Sequence, residues 1–87
     1  MKWYYVYVMQ SESDQKWYTG FTDDLDNRVL NHNKGRVMST KTRIPLKLIY
    51  FEACLNMYDA LAREKYLKSG MGKRYLRNRL KKYLGDL

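Results

Sequence analysis

The stretch Trp3-Tyr4-Tyr5-Val6-Tyr7-Val8-Met9 constrains this chain more than any other. In an extended strand successive side chains point to opposite faces. Trp3, Tyr5, Tyr7 and Met9 then share one face and Tyr4, Val6 and Val8 the other, so both faces are apolar. Such a strand must be covered on both sides and belongs at the centre of a small sheet. A partner runs from Lys16 to Phe21, with Trp17, Thr19 and Phe21 on one face and Tyr18 and Gly20 on the other. The segment between them, QSESDQK, has no apolar residue and reads as a loop. Antiparallel pairing of the two strands brings two phenols, Tyr7 and Tyr18, side by side. Gly20, near the end of its strand, lets a ring, a backbone or a ligand approach closely.

The remaining segments supply the cover. Phe21-Thr22-Asp23-Asp24 opens a helix, with Thr22 or Asp23 as its cap and Asp24 and Asp26 complementing the positive end of its dipole. Leu25, Val29 and Leu30 are its apolar positions; Arg28 and His32, four apart, flank that stripe. Asn33-Lys34-Gly35 ends the helix, with Gly35 as the residue after the cap. Residues 35–45 form a basic, polar connection, and Pro45 disfavours helix before a third strand, Leu46 to Phe51. A second helix opens at Leu55 or Asn56 and runs to about Lys68, where Ser69-Gly70 stops it. A last helix is expected from about Lys73 to Leu84. Eighty-seven residues support a single modest core. The expected fold is α/β in the α+β sense, a small three-stranded antiparallel sheet flanked by helices. Its order is β-β-α-β-α-α, in one domain over residues 1–87 with its core at about 3–84.

Charge is unevenly placed. Residues 1–33 hold three Lys/Arg and five Asp/Glu, whereas residues 34–87 hold fourteen Lys/Arg and four Asp/Glu. The C-terminal part therefore carries the footprint of a polyanion-binding surface, although a solvated basic face is the ordinary alternative. Lys41, Arg43, Lys73, Arg74, Arg77 and Lys81 are its candidate phosphate contacts, Arg77 and Lys81 sharing a helix face; Ser39 and Thr40 are further candidates, with a solvated loop as the equal alternative for residues 39–43. The lone cysteine, Cys54, excludes an internal disulfide and a Cys/His zinc cluster and reads as a small buried hydrophobe. The apolar amino-terminal run has no small-residue cleavage site after it, so it reads as a strand rather than a signal peptide. No stretch approaches the length of a membrane span, and a cytoplasmic location is expected.

Glu64 is the residue that packing explains least. On a helical wheel through residues 56–68, Met57, Ala60, Leu61 and Leu67 form one apolar arc, and Glu64 falls within it. A carboxylate among buried side chains is costly unless it is paired, hydrogen-bonded or bound to a cation. An ion pair with Lys68 at i+4 would account for it without any function.

Taken in order, Tyr5-Val6-Tyr7, Tyr18-Thr19-Gly20, Leu25-Asp26-Asn27-Arg28, His32-Asn33 and Ala62-Arg63-Glu64 resemble the motifs of the GIY-YIG nuclease superfamily, nearest to its small stand-alone members. The resemblance spans about residues 3–84. The first glycine of the family's name-giving motif is replaced here by Tyr5, which leaves the tyrosine of that motif in place. The resemblance implies metal-dependent hydrolysis of DNA phosphodiesters, and branched or damaged DNA is a candidate substrate. It implies catalytic roles for Tyr7, Tyr18, Arg28, His32 and Glu64, and one divalent cation, Mg²⁺ or Mn²⁺, held by Glu64.

The chemistry suits those residue types. A hard cation on one carboxylate, completed by waters and the phosphate, offsets charge that develops during attack by water. Arg28 offers a permanently charged fork to the same phosphate. A free phenol has a pKa of about 10, so a tyrosine base needs positive neighbours such as Arg28, protonated His32 or the metal. The expected base is Tyr7, with His32 as its partner or proton acceptor, while Tyr18 positions water or phosphate. A chain this small would draw specificity from substrate shape, a partner protein or a second copy. Two other readings stand beside the nuclease. One is a nucleic-acid-binding module of the same fold with little or no activity alone; the other is a tyrosine-rich protein-interaction domain, whose association would be insensitive to salt.

Overall fold

A computed structural model describes residues 1–85. The elements are β1 (Tyr4–Ser11), β2 (Trp17–Thr22), α1 (Leu25–Asn33), β3 (Leu46–Cys54), α2 (Met57–Lys68) and α3 (Gly70–Arg79). The three strands form one antiparallel sheet in the order β2-β1-β3, so the strand with two apolar faces is the central one. Val6 and Val8 are fully buried on one face, against Ala60 and Leu67 of α2 and Leu76 of α3. Tyr7 and Met9 are fully buried on the other, with Leu46, Leu25 and Val29 around them. Two apolar layers thus share one strand, and α1 lies across the sheet from α2 and α3. Fold class and element order are those expected from the sequence.

Several boundaries differ, each for a local reason. Asp24 caps α1, its carboxylate accepting from the Asn27 amide, so neither Thr22 nor Asp23 is the cap. Thr22 instead accepts from the Asp24 amide and fixes the turn into the helix. Strand β3 runs to Cys54 rather than Phe51, because Glu52 pairs with Val6 in the ladder and its charge is met by Arg63. Cys54 is half-buried at the rim of the core, not fully enclosed. Helix α2 is capped by Asn56, which accepts from the Tyr58 and Asp59 amides. Leu61, placed on the apolar arc by the wheel, is 37 % exposed.

The largest shift is in α3, which runs from Gly70 to Arg79 rather than from Lys73 to Leu84. Ser69 closes α2 and also caps α3, its hydroxyl accepting from the Gly72 amide. Gly72 is buried because α3 crosses the end of α2 at close range. A Cβ there would meet the Tyr66 carbonyl oxygen and lie 2.5 Å from Leu67 Cα. Beyond Arg79 the chain leaves the helix, and Tyr83 turns back to donate to Gln10 Oε1 at 2.8 Å, with Lys47 over its ring. Lys81 therefore lies past the helix and does not extend a face with Arg77.

Gly72→Ala is expected to destabilise the protein by about 1–3 kcal/mol through overpacking. Denaturant unfolding should show a lower midpoint at unchanged slope; an unchanged midpoint would show that the two helices can separate at no cost.

Candidate active site

Strand register sets the first part of the site. Tyr7 faces Gly20 across the β1–β2 ladder, and Met9 faces Tyr18. The Tyr7 ring lies over Gly20, where a Cβ would strike its Cζ and hydroxyl. The glycine is thus what allows the ring to lie flat along the neighbouring strand. The Tyr7 and Tyr18 ring centroids are 6.3 Å apart, and the His32 ring stands edge-on to both, at 5.7 and 5.0 Å.

Helix α1 supplies the polar partners. Arg28 Nε donates to the Tyr7 hydroxyl at 3.2 Å, and that hydroxyl lies 2.8 Å from His32 Nε2. The guanidinium can only donate, so the Tyr7 O–H is free to donate to His32 Nε2. Nδ1 of the neutral ring then carries the proton and donates to Thr40 Oγ1 at 2.7 Å. The sequence offered Thr40 either as a phosphate contact or as part of a solvated loop. In the structure Thr40 is fully buried, and it is the outer anchor of this chain of hydrogen bonds.

Burial, and then the nearby Arg28 charge, push the His32 pKa down to about 4, so the ring is neutral at pH 7. Burial also raises the Tyr7 phenol above its ordinary value; the hydrogen bond from Arg28 opposes this, while Tyr18 and Glu64 add to it. His32 is therefore not a positive neighbour of Tyr7, and among the described residues Arg28 is the expected cation in contact with its hydroxyl. Tyr7 is also completely enclosed, whereas Tyr18 is half-buried and lines a depression open to solvent. Both phenols raise the basicity of Arg28, with the Tyr7 hydrogen bond first among the causes. Arg28 is half-buried between them and the surface.

Glu64 sits on α2 between the buried Ala60 and Leu67, with its side chain 19 % exposed. Its Oε2 is 3.1 Å from Lys68 Nζ, the i+4 pair that the sequence allowed. The preceding residue, Arg63, holds the helix against the sheet. It donates from Nε and Nη2 to the two Glu52 oxygens, at 2.8 and 2.9 Å, and stacks over Tyr66 and Tyr75. Burial alone would raise the Glu52 carboxyl, but the hydrogen bonds from Arg63 and Tyr50 carry it below its usual value. Among the described residues no group of three or more His, Cys, Asp or Glu is gathered. The donor set fits a hard cation that keeps most of its waters and takes one carboxylate plus a phosphate oxygen, which is how Mg²⁺ binds. It does not fit a preformed protein cage.

The basic residues divide. Lys73 and Arg77 line a groove of about 350 Å³ with Lys16 and Trp17, and Arg77 lies over the Trp17 ring. An adjoining depression of about 200 Å³ is lined by Trp17, Tyr18, Thr19, Lys68, Lys73 and Leu76, so the groove reaches Tyr18. Lys16 and Lys68 were not among the expected contacts. Arg74 lines a separate depression with Tyr66 and Tyr75. Arg43 is half-buried, 3.5 Å from Asp14 and donating to the Trp17 carbonyl, so it braces the β1–β2 loop rather than facing solvent. Lys41 is exposed away from these contacts.

A model of the GIY-YIG catalytic domain matches residues 3–79. The chain belongs to the GIY-YIG family. Among its relatives is a UPF0213 protein of Lacticaseibacillus paracasei, 41% identical over 68 residues, covering 77% of this chain and 75% of the relative. A UPF0213 protein of Haloquadratum walsbyi is 40% identical over 68 residues, with the same coverage. The solution NMR structure of the UPF0213 protein BH0048 of Bacillus halodurans is similar at a TM-score of 0.55 and 32% identity, covering 87% of this chain and 83% of that one. As a GIY-YIG domain the chain falls within a nuclease family, and none of its described helices is long and apolar enough to cross a membrane.

His32 gives this GIY-YIG domain a pH signature. Unfolded, the ring binds a proton below about 6.5; folded, it does so only near 4. Acid therefore favours the unfolded state, and stability should fall as pH drops from about 6.5 to about 4, by roughly 3 kcal/mol from this group. Urea titrations across that window should show the loss in the wild type and its absence in His32→Gln. Thr40→Val should cost about 1–3 kcal/mol by leaving His32 Nδ1 buried without a partner. An unchanged urea midpoint for Thr40→Val would remove Thr40 from the network.

Proposed function

We propose that this chain is a divalent-metal-dependent endonuclease that hydrolyses phosphodiester bonds in DNA, including branched or damaged forms. One observation carries the reading. Tyr7, Tyr18, Arg28 and His32 converge in a single cluster at the end of a basic groove, and a lysine of that groove is paired with Glu64. A purely structural cluster would not need a half-buried carboxylate beside it.

The residues divide their work by exposure. Arg28 spends Nε on Tyr7, which leaves its terminal nitrogens to bind the oxygens of the scissile phosphate. Lys73 and Arg77 hold neighbouring phosphates of the backbone without reading sequence. A general base must stand within about 2.6–3.2 Å of the proton it removes. Tyr7 has both hydrogen-bonding positions filled and no exposed surface. Tyr18 is the phenol that a water can reach, so it takes the role of orienting and deprotonating the nucleophile. Tyr7 and His32 become positioning residues that fix Arg28 and the Tyr18 ring, which reverses the roles of the two tyrosines expected from the sequence. Glu64 would hold Mg²⁺ or Mn²⁺, which supplies positive charge to the developing oxyanion when bound.

The test is a panel of linear, single-stranded, flap and four-way DNAs incubated with Mg²⁺ or Mn²⁺. Glu64→Ala should lose cutting and keep DNA affinity. Tyr18→Phe should slow cutting by about 10²-fold or more with near-normal stability. Tyr7→Phe should keep a larger share of the activity but unfold more easily, by about 1–3 kcal/mol. The opposite order of the two tyrosines would return the base role to Tyr7. If the wild type cuts none of these DNAs in a Glu64-dependent way, the chain is a binding module of this fold.

A further inference from the structure

We propose that Lys68 is a displaceable counterion that holds the Glu64 carboxylate in the free protein and releases it to a divalent cation when a phosphate enters the groove. The inference rests on the nuclease reading and adds to it a coupling between metal and nucleic-acid binding.

Two placements of the same side chain support it. Lys68 Nζ is 3.1 Å from Glu64 Oε2, and Lys68 also lines the depression that contains Tyr18, Thr19 and Lys73. The same residue therefore pairs with the carboxylate and borders the surface that phosphates would occupy. Its partner is sheltered, 19 % exposed, whereas Lys68 is 53 % exposed. An i,i+4 pair of this kind contributes little to stability and closes within one helix, so moving the ammonium breaks no ion pair between elements among the described residues. Arg63 shows the contrast. It is fixed by two hydrogen bonds to Glu52 and by stacking on two rings. Helix α2 thus carries an anchored cation in Arg63 and, paired with the carboxylate, a more exposed one in Lys68.

Charge makes the coupling. A metal ion and an ammonium compete for the same carboxylate and repel each other there. A phosphodiester in the groove offers Lys68 a second anion, shared with Lys73. Drawing Lys68 toward the phosphate uncovers Glu64, and a cation on Glu64 drives Lys68 toward the phosphate. Each ligand then strengthens the other, by equal factors in both directions. The free protein would hold metal weakly, and the site would assemble on the substrate.

Two titrations test this, neither of which needs turnover. Mn²⁺ alone is titrated into nucleic-acid-free protein and followed by electron paramagnetic resonance. A single-stranded oligothymidylate is titrated in the presence of chelator and followed by fluorescence anisotropy. Lys68→Gln should bind Mn²⁺ about two- to fivefold more tightly than wild type and should bind the metal-free oligonucleotide more weakly. Lys68→Arg, which keeps the charge, should resemble wild type in both. If Glu64→Gln abolishes Mn²⁺ binding but Lys68→Gln leaves it unchanged or weaker, the counterion role is overturned and the nuclease reading stands. If Lys68→Arg tightens Mn²⁺ as much as Lys68→Gln does, charge is not the cause and the role is likewise overturned. If Glu64→Gln leaves Mn²⁺ binding unchanged, the carboxylate is not the metal ligand and both readings fall.

Discussion

The Tyr7 hydroxyl is the constraint on which the arrangement depends. A phenol oxygen inside an apolar layer is costly unless its hydrogen bonds are made. Tyr7 lies on the central strand, between neighbours on both sides, so its partners must come from above the sheet. Arg28 and His32, one helical turn apart, provide them, and Thr40 satisfies the far side of His32. Those bonds fix how α1 is rotated on the sheet, which in turn directs Leu25 and Val29 into the layer around Met9 and Leu46. Asn33 completes the seating. Its side-chain amide accepts from the Leu46 amide at 2.7 Å and donates to the Leu46 carbonyl at 2.9 Å, tying the end of α1 to the start of β3.

The opposite layer uses a different device for the same purpose. There Ala60, Leu67 and Leu76 cover Val6 and Val8, and apolar packing alone would let α2 roll. The fork between Arg63 and Glu52, backed by the Tyr50 hydroxyl on Glu52, gives the helix one rotation. With Arg63 held toward β3, Glu64 is turned toward the other side of the same helix face, where Lys68 and the groove lie. Neighbouring charged residues thus face different partners, Arg63 the sheet and Glu64 the groove.

Much of this was legible in the sequence because the signals were periodic. A strand apolar on both faces can only be central, and two tyrosines on the same face of paired strands, here diagonal to each other, fall side by side. The wheel through α2 isolated Glu64 because a carboxylate breaks an apolar arc. Thr40 carried no such signal: Ser39-Thr40-Lys41-Thr42 reads as polar loop, and only the three-dimensional path buries the second residue. The start of α3 was hidden because Ser69 serves two helices, and Ser-Gly normally marks a stop. Arg43 was misplaced because charge in a loop suggests solvent, whereas this loop folds back onto the β1–β2 turn. The burial of Tyr7, by contrast, was implicit from the start. A strand covered on both faces encloses its central phenol, and an enclosed phenol is poorly placed to meet water.

That enclosure explains why a neutral layer lies beneath a charged one. His32 is buried next to Arg28, so protonating it would set two positive charges together away from water, and the ring stays neutral instead. Tyr7, protonated, donates its O–H hydrogen bond to the ring nitrogen rather than carrying negative charge. The buried layer thereby adds rigidity without adding charge. Arg28 spans the boundary, with one nitrogen committed inward and the rest of the guanidinium toward the half-buried rim. In the proposed role the cluster would meet an incoming phosphate with one oriented cation rather than two. A second positive charge for that phosphate would then come from the side of the groove where Glu64 and Lys68 stand. The proposed pairing of a lone carboxylate with a lysine serves that arrangement, since it would present net neutrality until an anion arrives.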